Sequence, residues 1–154
     1  MKPRIYIDTS VYGGYFDEEF SEHTIPLFDR IRNNEFILLY SSVTQEELVN
    51  APGKVKELVK SLKAENTEFI ETTDEAIDLA TEYIKEKVVG QTSFADCLHI
   101  AMATTNRAEF LVSWNFKHIV NIDKIKGYNS INIKNGYKQL EIRSPREFEK
   151  YEDN

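Results

Sequence analysis

Hydrophobic residues along the chain fall into short runs of strand length, separated by longer stretches with a helical period. Residues 4–8 read as a central strand, Ile5-Tyr6-Ile7 running straight into Asp8. Phe36 to Tyr40 is a continuous apolar run, the pattern of a strand buried on both faces in a parallel sheet. Thr67–Glu71 has the length of a short strand, Phe110–Ser113 reads as the next, and Ile131–Ile133 as a fifth. Residues 22–33 are expected as a helix, with Pro26 tolerable in its first turn, where a missing N–H costs nothing. Ser41-Ser42 caps a short helix from about Val43 to Ala51, and Pro52-Gly53 breaks it. Further helices are expected over 54–64, over 74–89 with Thr73 as cap and Gly90 as stop, and from Ser93 to about Arg107. Gly127 is expected to break the chain, and Ser144-Pro145 opens a short last helix with Pro at its first position. Strands that alternate with helices give an α/β class with a largely parallel sheet.

The 154 residues suit one domain, 1–154, with a C-terminal extension from about residue 145, and suffice to bury a sizeable core. No apolar run has the length of a membrane span. The N-terminus enters a strand at once, leaving no room for a signal peptide, and the expected location is the cytoplasm. A single cysteine, Cys97, excludes an internal disulfide and a Cys-rich zinc site. Net charge is −7, which argues against tight non-specific binding to nucleic acid. Between Lys117 and Arg143, however, six Lys/Arg stand against two acids, Asp123 and Glu141. A local basic surface and an ordinary solvated surface both account for that segment.

In an open parallel sheet, ligands bind at the carboxyl ends of the strands, and β-prone residues ending in Asp8 deliver a charge to that rim. A second acid comes from Gln45-Glu46-Glu47-Leu48. Thr44, Leu48 and Ala51 share one helix face; Glu47 borders it, while Glu46 points nearly opposite, into water. Asp96 is the third. It forms a candidate capping box with Ser93, yet it also opens an otherwise apolar helix, Cys97 to Ala103, whose first turn must face something within the fold. His99, one turn on, reads as a hydrogen-bonded core residue. The strand at 110–113 ends in Ser113 and, two residues later, Asn115, both able to hydrogen-bond to a phosphate or a metal-bound water. Trp114 and Phe116 read as packing residues, as does the Tyr12–Phe20 stretch.

Carboxylates converging on one rim repel one another unless a cation answers them. A hard divalent ion, Mg²⁺ or Mn²⁺, takes oxygen ligands and keeps several waters, whereas no His/Cys cluster favours zinc. Such an ion activates water for an in-line attack on phosphorus, and the chemistry would be phosphodiester hydrolysis.

The order of these pieces resembles a PIN domain: Ile7-Asp8-Thr9-Ser10 after the first strand, Ser41-Ser42 before a helix with Glu47-Leu48, Asp96 opening an apolar helix, and Leu111-Val112-Ser113-Trp114-Asn115-Phe116. The resemblance runs to about residue 145. It implies a three-layer α/β/α sandwich and a Mg²⁺- or Mn²⁺-dependent ribonuclease site. Many single-domain members are VapC-type toxins, which act as homodimers and are neutralised by a small antitoxin protein. Carried over, Asp8, Glu47 and Asp96 match the acidic metal-site positions, and Thr9 or Ser10 the hydroxyl that supports them. Asn115 departs from the pattern, since the family often has Asp there, and it removes one negative charge. Phosphate contacts from an RNA substrate are expected at Lys117, Lys124 and Lys126, and on the Lys56, Lys60, Lys63 face.

Another reading is a PIN-like module that binds RNA or protein without catalysis, consistent with Asn115 and the negative charge. A haloacid-dehalogenase-type phosphatase needs a second Asp where Ser10 stands. Dinucleotide binding needs a Gly-x-Gly-x-x-Gly that does not follow the first strand.

Overall fold

The apolar run Arg4–Ile7 forms the first strand, β1, and the others are ranged around it. Ile37–Ser41 (β2) and Phe110–Val112 (β4) flank it, with Thr67–Ile70 (β3) and Glu141–Arg143 (β5) outside them, in the order β3-β2-β1-β4-β5. In the computed structural model, which describes residues 1–90 and 93–150, every pairing is parallel. Ile5 stands opposite Leu38 on one side and Phe110 on the other. A strand with parallel neighbours on both sides is covered on both faces, which is why Ile5, Tyr6 and Ile7 are all buried.

Side chains alternate across β1 and so feed two separate cores. Ile5 and Ile7 pack with Leu38 and Val112 beneath Thr9–Gly14 (α1), Ser21–Arg32 (α2) and Gly53–Lys60 (α4). Tyr6 points the other way and joins Leu39, Leu111 and Ile142 beneath Asp74–Lys85 (α5), Phe94–Thr105 (α6) and Ile122–Lys134 (α7). The result is a three-layer α/β/α sandwich. Ser42–Glu47 (α3) continues directly from β2 along the carboxyl rim, its first turn capped by Ser41, whose Oγ accepts the Thr44 N–H at 3.1 Å.

Several sequence expectations need correction. Ile131–Ile133 is not a strand but the end of α7, where Tyr128, Ile131 and Asn132 are buried at helical spacing. Gly127 does not break that helix; it lets Val88 approach, since a Cβ there would lie 2.9 Å from Val88 Cγ1. The fifth strand is Glu141–Arg143 instead, three residues with only Ile142 buried. Pro26 lies inside α2, beyond the first turn, so the carbonyl of exposed Glu22 loses its helical partner. An unexpected short helix, α1, follows β1. Gly14 closes it because a Cβ would sit 2.8 Å from the Trp114 indole. Helices α2, α5 and α6 each end in a Schellman turn; in α6 the Ala108 N–H reaches the Ala103 carbonyl at 2.9 Å. The left-handed residues at these stops are Asn34, Lys87 and Arg107.

Pro145–Phe148 forms a 3₁₀ turn with a capping box between Ser144 and Glu147. It docks Phe148 between Phe36 and Phe110, with ring centroids 5.9 and 5.3 Å apart, and Arg30 Nη1 donates to the Phe148 carbonyl at 2.8 Å. Among the described residues, no helix is long and apolar enough to cross a membrane.

Candidate active site

The pocket is built outward from Asp8. Its backbone N–H stays in the sheet, bonded to the Val112 carbonyl at 3.1 Å, and the residue is 3% exposed. Its carboxylate does not cap α1; it is held between two hydroxyls. Ser10 Oγ donates to Oδ1 at 2.5 Å and Ser113 Oγ donates to Oδ2 at 2.6 Å. Each hydroxyl is itself oriented by a backbone donor, Trp114 N–H to Ser10 Oγ at 3.0 Å and Asn115 N–H to Ser113 Oγ at 2.9 Å. The two serines thus have no freedom but to point their hydrogens at Asp8. Both come from segments that leave the ends of adjacent strands, β1 and β4, which is how residues far apart in the chain meet at one rim.

Asp96 lies in the first turn of α6. The expected capping box with Ser93 is absent: Ser93 makes no side-chain cap, and its buried Oγ finds no partner among the described residues. Asp96 is free of that duty and faces Asn115, whose Nδ2 donates to Asp96 Oδ2 at 3.2 Å. The Asn115 carbonyl oxygen is already committed, accepting the backbone N–H of Lys117 at 3.2 Å and of His118 at 2.9 Å. This amide therefore meets the acid as a donor rather than offering an oxygen to a cation.

Glu47 joins the site from the end of α3 with its side chain still 38% exposed, and Glu46 beside it is exposed as well. Glu47 Oε1 accepts from Thr9 Oγ1 at 2.7 Å and lies 2.5 Å from His99 Nε2. Both candidate hydroxyls are thus used, Ser10 for Asp8 and Thr9 for Glu47. His99 is 2% exposed, and its other nitrogen, Nδ1, lies 2.6 Å from the Tyr6 hydroxyl. It is a core residue with a second face on the pocket, and the sequence carried a signal of this. His99 follows Asp96 by three positions, placing two polar side chains on one side of an otherwise apolar helix.

The electrostatics follow the burial. Burial raises the Asp8 carboxyl above its ordinary range; His99 and the two serines oppose the rise, and Asp96 adds to it. Asp96 is also raised, by burial first and by Glu47, against relief from His118, His99 and Asn115. Glu47 goes the other way: burial would raise it, but the contacts with His99 and Thr9 hold it below the usual carboxylate range. Two acids with raised pKa values on one rim form a site short of positive charge, relieved in part by histidines, by the two serines and by Asn115.

The basic residues divide. Lys117 sits exposed in the turn after Asn115, beside the pocket. Lys124 Nζ is committed to the Val88 carbonyl at 2.6 Å, at the end of the α5 segment. Lys126 is exposed on α7, and among the described residues no hydrogen bond or ion pair joins it to the acids. Of the other lysine face, Lys60 pairs with Glu57 at 3.7 Å. Trp114 is a packing residue, 6% exposed and stacked on Phe20, with Nε1 donating to Thr24 Oγ1 at 2.8 Å. Tyr12 is likewise core, but Phe116 is 44% exposed beside the pocket.

No protein-family model and no curated protein matches the sequence. Solved structures do. VapBC2 from Rickettsia felis, bound to a DNA fragment from its promoter, matches with a TM-score of 0.56 at 14% identity over 92% of this chain and 98% of that one. FitAcB from Neisseria gonorrhoeae gives 0.58 at 14% identity, over 92% and 97% of the two chains. FitAB bound to an IR36 DNA fragment gives 0.58 at 14% identity, over 96% and 99%. The fold is that of a PIN domain.

Within this PIN fold the donor set can be tested against a divalent cation. Among the described residues, no three His, Cys, Asp or Glu side chains form a ready-made metal cage. The acids nonetheless suit a hard, hydrated ion. Asp8 is a buried carboxylate with only hydroxyl partners, and one oxygen of Asp96 and one of Glu47 have no hydrogen bond among the described residues. Mg²⁺ and Mn²⁺ are commonly held this way, by a few carboxylates and retained water.

Proposed function

We propose that this protein is a metal-dependent endoribonuclease acting as the toxin of a toxin–antitoxin pair. The observation that carries the reading is the buried Asp8 carboxylate, with no Lys or Arg partner among the described residues, sharing one rim with Asp96 and Glu47. Asp8 and Asp96 would hold Mg²⁺ or Mn²⁺, and Glu47 would ligate it or position the attacking water. A divalent ion bound there acidifies a water and stabilises charge at a phosphate under in-line attack. Ser10 and Ser113 fix the two Asp8 oxygens, so the carboxylate meets an ion without reorganising. Asn115 binds Asp96 as a neutral donor, lowering the charge the site must balance and keeping an N–H at the rim for a metal water or the scissile phosphate. Lys117 would contact a backbone phosphate of the RNA.

The fold neighbours support a protein partner, since VapBC2 and FitAB are complexes, and the proposed partner is a cognate antitoxin with the chain itself as a homodimer in the cytoplasm. A second reading keeps the same cleft for binding RNA or protein without hydrolysis; the net charge of −7 and the engagement of Lys124 favour it. Metal titration and cleavage separate the two. Mg²⁺- or Mn²⁺-dependent cleavage of RNA that Asp8→Asn abolishes in a folded protein is the expected result. Cleavage retained in Asp8→Asn defeats the nuclease reading.

A further inference from the structure

Resting on that reading of the pocket, we propose that Tyr6 and His99 are positioning residues for Glu47. Together they keep one N–H on Glu47 Oε1, which leaves Oε2 as the oxygen available to an ion or a water.

A continuous hydrogen-bonded chain runs from the core to the rim. Thr44 N–H donates to Ser41 Oγ at 3.1 Å, Ser41 Oγ lies 2.8 Å from the Tyr6 hydroxyl, and that hydroxyl lies 2.6 Å from His99 Nδ1. His99 Nε2 then lies 2.5 Å from Glu47 Oε1. Tyr6 is fully buried at the centre of the sheet and His99 is 2% exposed, so water does not substitute for the partners of the Tyr6 hydroxyl or of Nδ1. A buried phenol or imidazole without a partner costs about 1–3 kcal/mol, so every hydrogen in the chain must be placed.

Counting those hydrogens leaves two arrangements. In one, Ser41 donates to Tyr6, Tyr6 donates to Nδ1, and a neutral His99 carries its hydrogen on Nε2. In the other, Ser41 turns its hydrogen to Thr44 Oγ1, 3.2 Å away, Tyr6 donates to Ser41, and a cationic His99 donates from both nitrogens. A neutral ring with its hydrogen on Nδ1 would set a bare Nε2 against a carboxylate and fails. Both surviving arrangements put a hydrogen on Nε2 aimed at Glu47. The phenol is what allows this, because Tyr6 can donate or accept and satisfies Nδ1 in either case; no apolar residue at position 6 can. Thr9 Oγ1 supplies the second donor to the same Oε1 at 2.7 Å. Glu47 is thereby held through one oxygen only.

The test joins spectroscopy on the metal-free protein with kinetics. Long-range ¹H–¹⁵N NMR of His99 in the wild type reads which ring nitrogen bears hydrogen. A protonated Nε2 is expected, and a bare Nε2 overturns the proposal whether or not the protein cleaves RNA. Tyr6→Phe keeps the ring and removes the hydroxyl; kcat should fall roughly 10- to 100-fold, the scale for losing an outer-shell partner, with KM unchanged. His99→Gln retains an N–H donor at similar reach and should keep at least about tenfold more activity than His99→Leu, a difference that packing alone does not produce. Wild-type kcat in Tyr6→Phe, or equal activity in the two His99 variants, overturns it. Should His99→Leu fail to fold, Tyr6→Phe and the wild-type spectrum decide. A wild type that cleaves no RNA defeats the ribonuclease reading, while the spectrum still judges the hydrogen-bonded chain.

Discussion

Replacing Asp8 by Asn separates stability from chemistry, because two contributions to stability oppose each other while nothing opposes the loss of chemistry. The side chain is 3% exposed and keeps its shape on substitution. Asn can accept from one of the two serines, but its amide nitrogen must face the oxygen of the other, whose hydrogen then loses its acceptor. That loss costs about 1 kcal/mol. Against it stands the raised pKa of Asp8, caused first by burial. A raised carboxyl gives stability that is full below the unfolded value of 3.8 and is lost as pH rises through the higher folded value. At neutral pH the ionised Asp8 therefore weighs on the metal-free fold, and a neutral amide relieves it. The two effects offset to within about 1 kcal/mol, or roughly 2–4 °C in Tm for a chain of this size. The metal-free variant should also lose part of the wild type's decline in stability above about pH 4. Chemistry has no such offset: a site that loses a buried charge should cleave RNA at least about 100-fold more slowly. Mn²⁺ at about 100 times its Kd should stabilise the wild type by roughly 2.7 kcal/mol and the variant far less. Thermal melts with and without Mn²⁺, beside cleavage of a fluorogenic RNA, measure all of this. An unfolded Asp8→Asn, or equal Mn²⁺ stabilisation of both proteins, refutes the reasoning.

Three further outcomes follow from the contacts. Asn115→Asp replaces the donor to Asp96 with a like charge, so it should lower the metal-free Tm and tighten Mn²⁺ binding, read by melting and calorimetry. Tyr12→Phe removes a buried hydroxyl that has no hydrogen-bond partner among the described residues, and should raise stability by about 1 kcal/mol in urea unfolding; a loss of that size would show that the hydroxyl is satisfied. Gly14→Ala drives a Cβ to 2.8 Å from the Trp114 ring, which should cost about 1–3 kcal/mol and shift the fluorescence of the only tryptophan by disturbing its bond to Thr24.

Strands β1, β2 and β4 were legible because burial on both faces leaves runs such as Phe36–Tyr40 with almost no polar residue, whereas edge strand β3, with Glu68 and Phe69 exposed, showed only a strand's length. Edge strand β5 left no such trace: it is three residues long with both ends only half-buried, so its alternation cannot be told from a loop. Ile131–Ile133 misled in the opposite way, since three residues cannot distinguish a period of two from one of 3.6. Helix α1 was not foreseen; the Trp114 indole packed against Gly14 accounts for that glycine, and the contact spans 100 positions of chain. At the site, the acids Asp8, Glu47 and Asp96 could be found because a charge ending or bordering an apolar element is conspicuous. Tyr6 could not be assigned from sequence, because a buried aromatic with one polar atom looks like core until its partner is known, and His99 left only the trace of its spacing from Asp96. Nor does sequence say which lysine is free: Lys124 is spoken for by a carbonyl that only the folded chain brings near.

Lys87 and Arg107, which end α5 and α6, are exposed and hold left-handed backbone angles, φ 64° and 59°, that a side chain enters only at a cost. Arg107 lies between α6 and the start of β4, at the edge of the sheet away from the acids. At Arg107, on the floor of the molecule, such strain is slack that glycine would take up without disturbing the rim. A chain that carries a self-repelling cluster at one edge and unspent backbone relaxation at the other can be made sturdier while its acids stay as they are.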